Sequence, residues 1–106
     1  MGLDLAIKSN ERGISACIRV ACGASHDSPR NSFLHGLNYE DVDYGHGCIA
    51  RKFVSTEGNS PITGDFLKKR YAEWATKNGE DLEFRGFIDY FVQLEEQGRA
   101  PYLDLL

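Results

Sequence analysis

Five cysteine and histidine residues fall within a short stretch of the chain, and these are the residue types that bind zinc. They are Cys22, His26, His35, His46 and Cys48. A structural zinc ion takes four such ligands in a tetrahedron, so one site could be filled. Neither Cys22 with His26 nor His46 with Cys48 has the usual C-x2-4-C or H-x3-5-H spacing. A small zinc-binding domain is therefore an alternative interpretation, and the preferred one has no metal and no cofactor.

Two further arrangements of residues could serve catalysis or cation binding. Cys48 would be a nucleophile with His35 or His46 as its base, and Asp41-x-Asp43 would offer carboxylates to a divalent cation. A reactive thiol needs an electropositive, partly exposed setting, which nothing in the sequence indicates. The chain has no phosphate-binding glycine loop, no nucleophile elbow and no H-E-x-x-H motif. We therefore expect no enzymatic activity.

An acidic stretch interleaved with aromatic residues is the first candidate binding surface. It consists of Tyr39, Glu40, Asp41, Asp43 and Tyr44. Spaced carboxylates can occupy a protein site built for phosphates, and tyrosines supply rigid contact area. The stretch therefore predicts a partner-binding surface suited to an inhibitor of a nucleic-acid-handling protein. The alternative is an ordinary solubilising surface.

A basic segment is the second candidate surface. Residues 51–77 carry six Lys and Arg against three Asp and Glu, whereas residues 78–106 carry two against seven. The candidate nucleic-acid contacts are Arg51, Lys52, Lys68, Lys69 and Arg70. A nucleic-acid reader is usually strongly basic, and this chain has a net charge of −4. A nucleic-acid-binding module therefore remains an alternative.

The elements that must position these residues begin with two predicted strands. Apolar and polar residues alternate over residues 3–8 and again over residues 14–22, and the polar residues 10–13 between them have turn chemistry. Cys17 and Cys22 would lie on opposite faces of the second strand, which argues against a disulfide between them. The pattern predicts an N-terminal β-hairpin.

The remainder of the chain predicts one more strand and three helices. A short helix begins after Ser28 with Pro29 at its first position, and residues 48–55 form a third strand. A longer helix begins near Thr63 or Gly64 and stops at Asn78-Gly79; the last begins after Asp81 and ends at Gly98. The apolar segment Tyr102–Leu106 could dock in its own domain or on a partner, and the sequence leaves this open.

The length and composition of the chain limit the class of protein it can be. The chain has 106 residues, of which 42% are hydrophobic and 26% charged, and these values predict a single domain over residues 1–106. No apolar run approaches the roughly 20 residues that span a bilayer, and no secretory signal is recognised, so we expect a cytoplasmic protein with reduced cysteines. The predicted class is α+β, with the N-terminal hairpin and a third strand forming a small antiparallel sheet against a C-terminal antiparallel helix pair.

The function expected from these observations is non-enzymatic protein–protein contact, with the partner and the oligomeric state open. Small acidic proteins of this kind are common among phage and mobile-element accessory proteins. Some of those, anti-CRISPR proteins among them, block host nucleic-acid-handling complexes. We therefore expect an inhibitor that acts through the acidic and aromatic surface.

Overall fold

A computed structural model describes residues 3–9, 18–23, 28–43, 45–47 and 49–105 of the chain. Eight elements follow one another along it: β1 (Leu3–Ser9), β2 (Ile18–Gly23), α1 (Pro29–Phe33), β3 (Asn38–Asp43), β4 (Ile49–Ser55), α2 (Gly64–Asn78), α3 (Leu82–Glu96) and β5 (Pro101–Leu105). The predicted turn at residues 10–13 and the start of the second predicted strand lie outside the described residues.

The five strands form one antiparallel sheet in the order β2-β1-β5-β4-β3. The α+β class, the pairing of the two early strands and the C-terminal helix pair packed against the sheet are confirmed. The sheet is larger than predicted, because it has five strands rather than three. The two strands that were not predicted are β3, at one edge, and β5, in the centre.

The sequence does not predict β3 and β5, and the physical reason differs between the two strands. All but one residue of β3 are exposed, so the strand lacks the apolar alternation of a half-buried segment. β5 begins at Pro101, which a strand tolerates at its first residue, and its apolar run is interrupted by Asp104. β5 inserts between β1 and β4, so the tail from Tyr102 to Leu105 docks in its own domain, and Leu106 lies outside the described residues.

The two long helices begin and end close to the predicted residues because their caps satisfy the terminal backbone groups. Thr63 Oγ1 accepts a hydrogen bond from the Phe66 amide in α2, and Asp81 Oδ1 accepts one from the Phe84 amide in α3. At the end of α3, the Gly98 amide donates to the Glu95 carbonyl and the Arg99 amide to the Leu94 carbonyl. This is the Schellman pattern, and Gly98 supplies its left-handed residue with φ 75°.

The core lies between the sheet and the helices and is rich in aromatic rings. The fully buried ring of Phe84 lies 4.8 Å from Phe33, 5.3 Å from Trp74 and 6.1 Å from Phe87, measured between centroids. The sheet contributes apolar side chains from four strands: Leu5, Ile7, Val20, Cys22, Phe53 and Leu103. The buried aromatic residues of the two long helices therefore belong to the core.

Replacing each of two helical glycines by alanine is expected to change the free energy of unfolding in opposite directions. A Cβ on Gly86 meets open space, so Gly86→Ala should raise the free energy of unfolding by about 1 kcal/mol through helix propensity. A Cβ on Gly64 would come within 2.7 Å of Glu95 Oε1 and 2.9 Å of Val92 Cγ2. Gly64→Ala would displace the Glu95 carboxylate that accepts from the Gly64 amide and should cost about 1 kcal/mol.

Urea unfolding of both variants, followed by circular dichroism, checks this prediction. Each variant is the control for the other, because the chemical change is identical and only the environment of the glycine differs. A shift in the same direction for both variants would contradict it.

Candidate functional site

The acidic stretch lies on β3, an edge strand of the sheet. Glu40, Asp41 and Asp43 are exposed, and the side chain of Tyr39 is 49% exposed. The fifth residue of the stretch, Tyr44, lies outside the described residues. Among the described residues β3 pairs with β4 alone, so four of the five predicted partner-binding residues are presented together at one edge of the sheet.

The register of β3 and β4 sets part of the basic segment directly against the acidic stretch. Glu40 is the cross-strand partner of Lys52, and Asp41 is the partner of Arg51. The two surfaces that the sequence suggested as alternatives therefore occupy the same hairpin. Opposite charges across a strand pair stabilise it by roughly 0.2–1 kcal/mol, so part of this charge supports the hairpin itself.

Aromatic rings hold both of the basic side chains on β4. The Arg51 guanidinium lies 4.0 Å from the ring centroid of Tyr39, and the Lys52 ammonium lies 4.5 Å from that of Tyr102. The Tyr39 ring also meets Phe53 edge to face, with 6.3 Å between centroids. Tyr39 is therefore held in place from two sides although half of its side chain is exposed.

The remaining basic candidates lie on α2 and have different roles. Lys68 and Lys69 are exposed, whereas Arg70 donates hydrogen bonds to the carbonyls of Phe33 and His35 and lies over the Phe33 ring. Arg70 thus anchors the end of α1.

Lys52 is separated from the lysines of α2 by the sheet itself. Phe53 lies in the core beneath the helices, and successive strand residues face opposite sides, so Lys52 faces away from α2. The five basic candidates do not form one continuous patch.

The candidate zinc ligands do not assemble among the described residues. Cys22 is buried in the core, and burial raises the pKa of its thiol to about 11, which disfavours the thiolate that binds metal. His35 and His46 are exposed, and His26 and Cys48 lie outside the described residues. Within the described part of the chain, no three His, Cys, Asp or Glu side chains are grouped as metal ligands.

The two aspartates of the Asp41-x-Asp43 pair lie beside polar groups of their own hairpin. Asp43 Oδ1 accepts a hydrogen bond of 2.8 Å from the Gly45 amide, which is an Asx-type turn at the end of β3. Asp41 lies opposite Arg51. Both aspartates belong to the exposed edge, and the described residues add no third carboxylate to them.

A hollow on the helix side of the sheet, next to β3, was not predicted. This helix-side hollow has a volume of about 240 Å³ and is lined by Asn31, Leu34, His35, Gly36, Leu37, Tyr39, Arg51, Phe53 and Leu105. Its lining comes from α1 and the connection that follows, and from β3, β4 and β5. Three separate stretches of the chain, residues 31–39, 51–53 and Leu105, contribute to it, so no local sequence pattern could have indicated it.

A buried ion pair on the opposite face of the sheet was also not predicted. Lys8 Nζ lies 2.9 Å from Asp104 Oδ2, with the Asp104 side chain fully buried and that of Lys8 17% exposed. Asp104 is flanked by Ala6 of β1 and Lys52 of β4. The pair ties β5 to β1 at the centre of the sheet, which is a structural role.

No family model, curated protein or solved structure matches this chain. None of the helices in the described part of the chain combines the length and the apolar character that crossing a membrane requires.

Proposed function

We propose that this protein works by non-enzymatic contact with another protein, through the edge strand β3. The observation that carries the proposal is the exposure of Tyr39, Glu40, Asp41 and Asp43 on one edge of the sheet. An edge strand presents backbone groups that another chain can pair with, and natural proteins usually protect such edges. Tyr39 adds a ring that its contacts with Arg51 and Phe53 hold in place, so little entropy is lost on binding.

The partner that we propose is a basic protein surface, of the kind that nucleic-acid-handling proteins use for phosphates. Of the ion pairs formed by the described residues, none joins the β3 carboxylates to Arg51 or Lys52. Glu40, Asp41 and Asp43 are exposed, so their carboxylates can also meet cations of a partner. Occupation of a phosphate site would make the protein an inhibitor, as expected of a phage accessory protein similar in action to an anti-CRISPR protein.

Charge reversal at β3 tests the proposal. The variant Asp41→Lys/Asp43→Lys should capture at least about tenfold less of the partner from extracts of the native cell, because like charges would then face each other. The control variant Glu73→Lys/Glu96→Lys makes the same change in net charge at exposed positions on α2 and α3. It should capture as much as wild type.

The readout is the amount of the co-purifying chain, and circular dichroism must show that both variants keep the native spectrum. Equal capture by the β3 variant and wild type would overturn the proposal. Loss of capture in both variants would assign the effect to net charge and would also remove β3 from the proposal.

A further inference from the structure

The geometry points to binding by strand addition: a basic segment of the partner pairs with β3 as a sixth strand and places one aromatic or branched apolar side chain at the helix-side hollow. This inference rests on the proposed function and specifies how the partner is recognised. In strand addition, backbone hydrogen bonds supply affinity, and pockets for alternate side chains supply specificity. The hairpin offers both features next to each other.

In the part of the chain that the structure describes, no other strand lies beside the outer edge of β3. β3 pairs with β4 on one side, and the described sheet ends at β3 on the other. Glu40, Asp41 and Asp43 are all exposed, so their side chains are accessible to a partner.

A second copy of this chain does not fit this edge. Pairing two β3 strands would bring Glu40, Asp41 and Asp43 of one copy against the same three carboxylates of the other. Like charges across a strand pair are destabilising, so the edge is protected against self-association. The same carboxylates favour Lys and Arg in the added strand. Charge therefore selects a basic partner over a second copy.

The helix-side hollow supplies the place for an apolar anchor. Its lining includes the apolar residues Leu34, Leu37, Phe53 and Leu105, and Phe53 is 5% exposed. Tyr39 belongs both to this lining and to β3. A long side chain on the added strand needs to reach only across the Tyr39 ring, since neighbouring strands lie about 4.8 Å apart.

Strand geometry then defines the order of residues in the partner. Tyr39, Asp41 and Asp43 share one face of β3, and Glu40 lies on the other face. The anchor lies opposite Tyr39, and basic residues two and four positions from it face Asp41 and Asp43. A basic residue next to the anchor faces Glu40. The expected segment has one aromatic or branched apolar residue followed or preceded by this pattern of cations.

Selection from a random peptide library tests the inference without the native partner. Phage-displayed peptides of about twelve residues, long enough for a strand of usual length, are selected on the purified wild-type protein. We expect enriched peptides with an aromatic or branched apolar anchor and Lys or Arg at the stated offsets. Their affinity should fall at least about tenfold for Tyr39→Ala.

The control variant is Ile18→Ala, which removes an exposed apolar side chain from β2 at the opposite edge of the sheet. It should leave peptide affinity within about twofold of wild type. Hydrogen exchange of the β3 backbone amides should slow in the complex, as strand pairing requires. Circular dichroism of both variants checks that they remain folded.

The outcomes separate this inference from the proposed function. One outcome would overturn strand addition but leave the acidic contact surface in place. In that outcome, peptide affinity falls for Asp41→Lys/Asp43→Lys but not for Tyr39→Ala, and the hydrogen exchange of the β3 amides does not change in the complex. Failure to enrich any peptide would also overturn strand addition, and the capture experiment would then decide the proposed function by itself. Peptide binding that is unchanged by all the β3 substitutions would contradict both strand addition and the proposed function.

Discussion

Leu103→Ala is expected to lower the free energy of unfolding by about 2–5 kcal/mol. Leu103 is 1% exposed and lies at the centre of β5, with Ile7 of β1 and Phe53 of β4 as its cross-strand partners. Truncation to alanine leaves a cavity at the point where the two halves of the sheet join. Small domains have a free energy of unfolding of only about 5–15 kcal/mol, so this single change removes a large part of the stability of the protein.

The matched control is Leu82→Ala, the same chemical change at a leucine that is 73% exposed, and its effect should stay within about 0.5 kcal/mol. Chemical unfolding followed by tryptophan fluorescence reports both variants, since Trp74 is in the core. A chain shortened to end before Pro101 should show no cooperative transition, because β5 lies between β1 and β4 in the sheet and pairs with both. Similar losses for the two leucines would contradict the central role of β5.

Arg30→Ala is expected to cost about 2–3 kcal/mol near neutral pH, where its hydrogen bonds to charged groups are intact. Arg30 Nε and Nη2 donate to the two oxygens of Asp81 at 2.8 and 2.9 Å, and Nη1 donates to the Ala21 carbonyl at 2.8 Å. The Arg30 and Asp81 side chains are 19% and 26% exposed. One guanidinium thus connects α1, β2 and the first turn of α3.

The same contact predicts a dependence on pH. Hydrogen bonding to Arg30 holds the pKa of Asp81 below its ordinary value of 3.8, so this contribution to stability is present above that pH. It is lost as the pH falls through the depressed folded-state pKa and Asp81 becomes protonated. The difference in stability between wild type and Arg30→Ala should therefore shrink as the pH is lowered from about 4 toward about 2.

Urea unfolding across this pH range measures the effect, and Arg85→Ala is the control. The Arg85 pair with Glu80 is more than half exposed on both sides, so its removal should change stability by less than about 1 kcal/mol at any pH. A difference for Arg30→Ala that stays constant down to the lowest pH would contradict the assigned role of Asp81.

The candidate site was only partly predictable from the sequence. The stretch around Tyr39 stood out because carboxylates and rings alternate there, and these residues lie together on an exposed edge. That Arg51 and Lys52 would lie opposite Asp41 and Glu40 depends on strand register, which no local pattern contains. The helix-side hollow depends in addition on where α1 and the connection after it lie relative to β4 and β5.

The sequence by itself determined the class of the fold and the ends of the long helices. Capping residues such as Thr63 and Asp81, and Gly98 at the end of α3, act through hydrogen bonds and dihedral angles within a few residues, so their effect can be predicted locally.

Only the tertiary structure decided that β5 is central and that β3 is an edge. Strand order depends on pairing between segments distant in the chain, such as Ile7 with Leu103. The relative positions of the acidic stretch and the basic segment were decided in the same way. The acidic stretch and part of the basic segment lie side by side, because cross-strand pairing brings together charges that the sequence keeps apart.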